Sequence, residues 1–164
     1  MKARFEGRVA IVTGAAKGMG LATAVEMARG GAVVVLADID AQALQAVAVE
    51  LQRVGSVTTV ACDIQDRKQV DALVQGTRKG LGRVDILVNN AGLLLPGTIE
   101  ETTDDIIGRT LATNVKGILY AIREVCGGAN NGGHDRKPDQ RRVVSAGQRV
   151  AASTPGRHGG TPTG

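Results

Sequence analysis

Gly14, Gly18 and Gly20, with Lys17 and Met19 between them, form a stretch in which the backbone itself could do chemistry. A glycine turn that leads straight into a helix leaves unpaired N–H groups at the positive end of the helix dipole, and together these hold a phosphate. Gly14 can take turn angles that a Cβ forbids, while Gly18 and Gly20 let a pyrophosphate and a neighbouring strand approach closely. The same glycines would also serve a tight strand-to-helix turn with no ligand. A carboxylate follows at Asp38, 18 residues beyond Gly20. An acid there accepts hydrogen bonds from both hydroxyls of an adenosine ribose and repels a 2′-phosphate, which favours NAD over NADP. Lys17 is the counter-signal, because a cation in the loop suits that phosphate. Asp38 could instead cap the helix that follows, although Asp40 stands nearer to the capping position.

These residues need elements to hold them. Residues 9–12 and 32–37 are unbroken apolar runs, as expected of strands covered on both faces, and 57–62 and 84–88 read as a third and a fourth strand. Between them, helical spacing predicts helices over 21–28, over 41–53 with Leu44, Val47, Ala48 and Leu51 inward, and over 66–79 with Val70, Leu73 and Val74 inward. Strand and helix alternating with short loops imply right-handed crossovers and an α/β fold, a Rossmann-type doubly wound parallel sheet whose ligands bind at the strands' carboxyl ends. Gly14, Asp38, Asp63 with Ile64, and Asn90 with Ala91 and Gly92 all fall at such ends. Further on, Thr102 and Thr103 offer hydroxyl caps and Asp104 and Asp105 a first acidic turn. The spacing then predicts one long helix to Val125, with a stripe of Ile106, Ile107, Thr110, Leu111, Val115, Ile118, Leu119, Ile122 and Val125 broken by Asn114. An amide on that stripe is either a satisfied core group or a functional one.

Taken in order over residues 6–125, Thr13-Gly14-x-x-x-Gly18-x-Gly20, Asp38, Asp63-Ile64, Asn89-Asn90-Ala91-Gly92 and Asn114 closely resemble the short-chain dehydrogenase/reductase family. The resemblance implies an NAD(P)-dependent oxidoreductase that moves a hydride between a small-molecule alcohol and a carbonyl. It implies that the glycine loop, Lys17 and Met19 included, holds the pyrophosphate, that Asp38 holds the ribose, and that Asp63 and Ile64 border the adenine. Asn90, Ala91 and Gly92 support the fourth strand and the cofactor, the loop from Leu93 lies beside nicotinamide and substrate, and Asn114 helps hold a water chain for protons. The family's homo-oligomer contacts use the long helix and elements beyond it, so they do not carry over directly to this chain.

The resemblance ends with that helix. Residues 126–164 contain no Ile, Leu, Met, Phe, Trp or Tyr and are rich in Gly, Arg and Pro. Such a segment buries too little apolar surface to offset its ordering entropy, so the reading is a dinucleotide-binding domain over 1–125 and a tail over 126–164 that is disordered or frame-shifted. The fold is then incomplete in its C-terminal half. Residues 142–145 are a strand-like remnant, and Ser145 lies 31 residues beyond Asn114, roughly where the family carries a catalytic serine. The family's Tyr-x-x-x-Lys is absent: His158 and Pro162 stand where it is sought, and Tyr120, the only tyrosine, is followed four residues on by Glu124 and is expected to pack. Turnover is therefore expected to be impaired, and a non-catalytic nucleotide-binding fragment is the alternative.

The net charge of +4 could suggest nucleic acid, but the excess of positive charge lies wholly in residues 126–164 and no aromatic residues interleave with it. No run of about 18 apolar residues is available for a membrane span. Cys62 and Cys126 are too far apart in sequence to suggest a disulfide framework or a metal site. A cytoplasmic protein with no nucleic-acid or membrane partner is expected.

Overall fold

A computed structural model describes residues 4–127 and the strand Arg142–Ser145. Five parallel strands, β1 (Val9–Thr13), β2 (Val33–Asp38), β3 (Val57–Ala61), β4 (Ile86–Asn89) and β5 (Arg142–Ser145), are ordered β3-β2-β1-β4-β5. Chain order and spatial order diverge at β1, where the connection changes sides after β3. That divergence opens a crevice at the carboxyl ends, between the loops that follow β1 and β4. β1 is central and wholly buried, pairing with β2 from Val9↔Val33 to Thr13↔Ala37 and with β4 from Ala10↔Ile86 to Val12↔Val88.

Alternate residues of each strand serve two cores. Ala10, Val12, Val34, Leu36, Ile86 and Val88 face α1 (Gly18–Arg29) and α2 (Ala41–Leu51). Ile11, Val35, Ala37 and Leu87 face α3 (Arg67–Leu81) and α5 (Ile118–Gly127). Burial on both faces is why β1 and β2 read as continuous apolar runs, whereas β3 at the sheet edge carries Thr58 and Thr59 and has no fully buried residue. The helix boundaries follow local chemistry. Asp40 caps α2 by accepting from the Ala43 N–H (2.9 Å), Asp66 caps α3 through the Lys68 N–H (2.8 Å), and Gly82 ends α3 at φ +78°.

The single long helix expected after Asp105 is not what forms. α4 (Asp104–Leu111) runs into a π segment, Ala112–Gly117, and only then into α5. The expected stripe also divides. Of the expected stripe Val125 is buried, but the residues buried with it are Thr113, Gly117 and Ala121, whereas Ile107, Leu111, Val115 and Leu119 are 44–58% exposed. Small residues win the inner position because Gly117 lies against Ile64, leaving no room for the larger ones. Tyr120 packs beside the second core as expected, with the Arg123 guanidinium 5.5 Å from its ring centre. At the amino-terminal end of the strands, away from the crevice, Asp85 is buried and takes the Val9 N–H at 2.9 Å, with Arg83 and Arg8 beside it.

Candidate dinucleotide site

At the carboxyl end of β1 the chain turns at Gly14 (φ +65°) and enters α1 at Gly18 (φ +58°), so α1 begins three residues before the predicted Leu21. Two contacts explain the glycines. A Cβ on Gly14 would lie 2.8 Å from the Ala91 Cα, and one on Gly20 would lie 2.1 Å from the Gly14 carbonyl oxygen and 2.4 Å from the Asn90 Nδ2. Gly18 has nothing within 4 Å on its Cβ side. Lys17 and Met19 are exposed beside it, at the rim of the crevice.

The N-terminus of α1 differs in kind from those of α2, α3 and α4. Each of these three has an Asp or Thr side chain accepting a first-turn N–H, whereas α1 has no side-chain cap. Helix donors with no side-chain acceptor among the described residues, in a turn open at Gly18, fit a phosphate or pyrophosphate group.

The loop is stitched to β4 by a hydroxyl and an amide. Thr13, 2% exposed, accepts from the backbone N–H of Asn90 and of Ala91 (both 3.1 Å) and donates to the Val88 carbonyl (3.3 Å). The Asn90 amide donates from Nδ2 to the carbonyls of Thr13 (3.1 Å) and Gly14 (3.0 Å). Asn90 thus spends both protons on the glycine turn, while Gly92 is exposed just beyond. Asn89 is buried among these groups, and its Nδ2 has no hydrogen-bond partner among the described residues.

Asp38 ends β2, half-buried, and its two oxygens are divided. Oδ2 accepts from the Ala16 N–H (3.1 Å) and Oδ1 from the Asp40 N–H (3.1 Å). The carboxylate therefore stands at the glycine loop rather than capping α2, which Asp40 does. Asp63, after β3, orders its own turn by accepting the Gln65 N–H (2.9 Å), and Ile64 is buried behind it. Cys62 is buried beside Asp63, and its thiol is pushed up to about 11 by that burial and by the charges of Asp63 and Asp66.

Asn114 lies in the π segment, and its amide is used twice on one residue. Oδ1 accepts the Leu93 N–H and Nδ2 donates to the Leu93 carbonyl, each at 2.8 Å. The amide is hydrogen-bonded through both its oxygen and its nitrogen, and its partner is the loop that leaves β4. Ser145 is opposite Asn89 in the β4–β5 ladder. The Ser145 side chain, and His158, Pro162 and the remaining tail residues 128–141 and 146–164, lie outside the described residues.

Sequence reasoning named Thr13 only as the head of the glycine motif, with no role of its own, and did not single out Gly117. A hydroxyl closing an otherwise apolar buried strand was the available signal for Thr13. None marks Gly117, whose constraint comes from a residue distant in sequence.

A parallel sheet with an open glycine turn at its central strand, an acid on the next strand and paired amides on the other side defines a Rossmann-type nucleotide fold. Residues 8–133 match the family model described as short chain dehydrogenase. The chain is 37% identical over 133 residues to a (2S)-[(R)-hydroxy(phenyl)methyl]succinyl-CoA dehydrogenase subunit of Thauera aromatica, covering 80% of this chain and 54% of that one. It is 36% identical over 120 residues to meso-2,3-butanediol dehydrogenase of Serratia marcescens, covering 73% and 47%. Among solved structures, a 7α-hydroxysteroid dehydrogenase complexed with NADH and 7-oxo glycochenodeoxycholic acid superposes with a TM-score of 0.72 at 35% identity, over 77% of this chain and 49% of that one. The chain belongs to the short-chain dehydrogenase family. It spans about half the length of the curated relatives it matches.

Proposed function

We propose that the crevice binds NAD and that the chain is the cofactor-holding part of a dehydrogenase or reductase acting between a small-molecule alcohol and a carbonyl. The observation that carries this is the α1 N-terminus, open and uncapped at a glycine turn, with the Asp38 carboxylate beside it. When bound, the nicotinamide supplies the hydride donor or acceptor. The chain's own residues do the holding. First-turn N–H groups of α1 take the pyrophosphate, with Lys17 and Met19 flanking it, and Asp38 takes the adenosine ribose and disfavours a 2′-phosphate. Asp63 and Ile64 border the adenine, and Asn90, Ala91 and Gly92 form the opposite wall. Asn114 steadies the loop at Leu93 beside the reacting end, and Ser145 is the candidate to meet the substrate oxygen. Relatives' printed names cover a CoA-linked dehydrogenase, a diol dehydrogenase and a steroid dehydrogenase, which supports the reaction class and leaves the substrate open. The protein works in the cytoplasm, where both of its thiols stay reduced.

The test is titration of the purified protein with NADH, followed by the cofactor's fluorescence, against wild type and Asp38→Ala. Saturable enhancement that weakens about tenfold in the variant, and weakens less with NADPH, supports the reading. Absence of saturable binding refutes it. Oxidation of NADH on a panel of carbonyls separates a working enzyme from a chain that only binds.

A further inference from the structure

The π segment Ala112–Gly117 touches two loops whose parent strands are separated in the sheet by β2 and β1. At Asn114 it holds both backbone polar groups of Leu93, each at 2.8 Å. At Gly117 its backbone abuts the turn after β3. A Cβ there would lie 2.8 Å from the Ile64 carbonyl oxygen and 2.9 Å from that side chain's Cγ1 and Cδ1. Ile64 is itself 7% exposed, so it has little space to retreat into. One short segment therefore grips the loop after β4 at one residue and bears on the loop after β3 three residues later. Close-packed contacts of this sort transmit a restraint rather than absorb it.

We propose that this π segment couples the two ends of the crevice: a ligand that fixes the Asp63-Ile64 turn steadies Gly117, and through Asn114 orders the loop over residues 93–102. The proposal rests on the dinucleotide reading above, which puts adenine at Asp63 and Ile64. Its content is that occupancy at the adenine end shapes the substrate side before any substrate arrives. Gly117 is a positioning residue in this scheme. A second route from the ribose end exists through Asp38, Ala16 and Thr13 to Ala91, and the experiment separates the two.

Hydrogen exchange is measured on the purified protein with and without saturating adenosine, a probe with neither a phosphate for the glycine turn nor a nicotinamide for Leu93. Residues 62–66 report binding and residues 93–102 report coupling. In wild type both become protected, the second by about fivefold. Asn114→Ala and Gly117→Ala each lose the effect on residues 93–102. Protection of 62–66 with no change at 93–102 in wild type overturns the coupling and leaves the dinucleotide site standing. Protection at 93–102 that survives Asn114→Ala assigns the route to Thr13 and Ala91, and also overturns it. If adenosine leaves 62–66 unprotected and NADH does not bind, the site reading falls and this proposal falls with it. The Asn114→Ala comparison is decisive alone should Gly117→Ala fail to fold.

Discussion

Replacing Thr13 by Val keeps the shape of a 2% exposed side chain and removes one oxygen that makes three hydrogen bonds. The Asn90 and Ala91 N–H groups lose their acceptor. A buried polar group left unpaired costs about 1–3 kcal/mol. Both of these amides are only part-buried, so the lower end applies, about 1–1.5 kcal/mol each. The added methyl returns about 0.8 kcal/mol of burial. The net expectation is a loss of about 1.2–2.2 kcal/mol, a substantial share of a domain stability of about 5–15 kcal/mol. With a urea m-value of about 1–3 kcal/mol/M, the unfolding midpoint followed by far-UV circular dichroism falls by about 0.5–2 M with m unchanged. Thr13→Ser is the control: it keeps the oxygen, loses one methyl, and should cost about 0.8 kcal/mol. If Thr13→Val matches wild type, or Thr13→Ser is the less stable of the two, the hydroxyl is not what joins β1 to β4.

Asp85 offers a test by pH. Burial pushes its carboxyl up, but the hydrogen bonds from Arg83 and the Val9 N–H, with the charges of Arg83 and Arg8, outweigh that and hold it below the usual carboxylate range. A carboxyl depressed in the folded state contributes stability that is complete above its unfolded pKa of about 3.9 and is lost as pH falls through the folded value. Asp85→Asn should therefore cost about 1–3 kcal/mol at pH 7, and its gap to wild type should narrow below about pH 4 in urea melts; a gap independent of pH contradicts the assignment. Thiol labelling at pH 8 should modify the exposed Cys126 quickly and leave Cys62, with its thiol near 11, unmodified until denaturant is added. Equal native rates for the two would show that Cys62 is accessible. The exposed line of Ile107, Leu111, Val115 and Leu119 should make the protein self-associate, and Leu111→Lys with Leu119→Lys should reduce the mass seen by light scattering. An unchanged mass removes that face from the contact.

The strands were legible because a parallel sheet buried on both sides writes itself as runs such as Val33–Asp38, with no alternation to decode. The glycine turn was legible because glycine is needed where backbones meet, and Asp40 and Asp66 cap their helices as their positions suggest. The helix after Asp105 was misread for a definite reason. Its apolar residues are numerous enough to fill more than one face, and hydrophobicity alone selects Ile107, Leu111, Val115 and Leu119 as the buried line. What decides the matter is the clearance at Ile64, which only Gly117 satisfies. The two-way use of the Asn114 amide was hidden similarly, because its partner is the backbone of Leu93 and carries no side-chain signature. Asp38 was placed at the right strand end, yet its bond to Ala16 depends on the path of a loop that spacing does not describe.

The central position of β1 bears on how the protein is made. A ribosome delivers β2 soon after β1 and α1, and the two strands can pair as soon as β2 has emerged. The other edge of β1, carrying Ala10, Ile11 and Val12, waits for β4. Translation from Asp38 to Asn89, at about 5–20 residues per second, leaves that edge bare for about 3–10 s. Throughout that interval the nascent chain presents a flat, apolar, unpaired strand edge, the feature that invites pairing with other chains. The same central strand that anchors the finished crevice is thus the segment most in need of shelter during synthesis, and a chaperone footprint on growing chains should lift once residues 86–91 clear the exit tunnel.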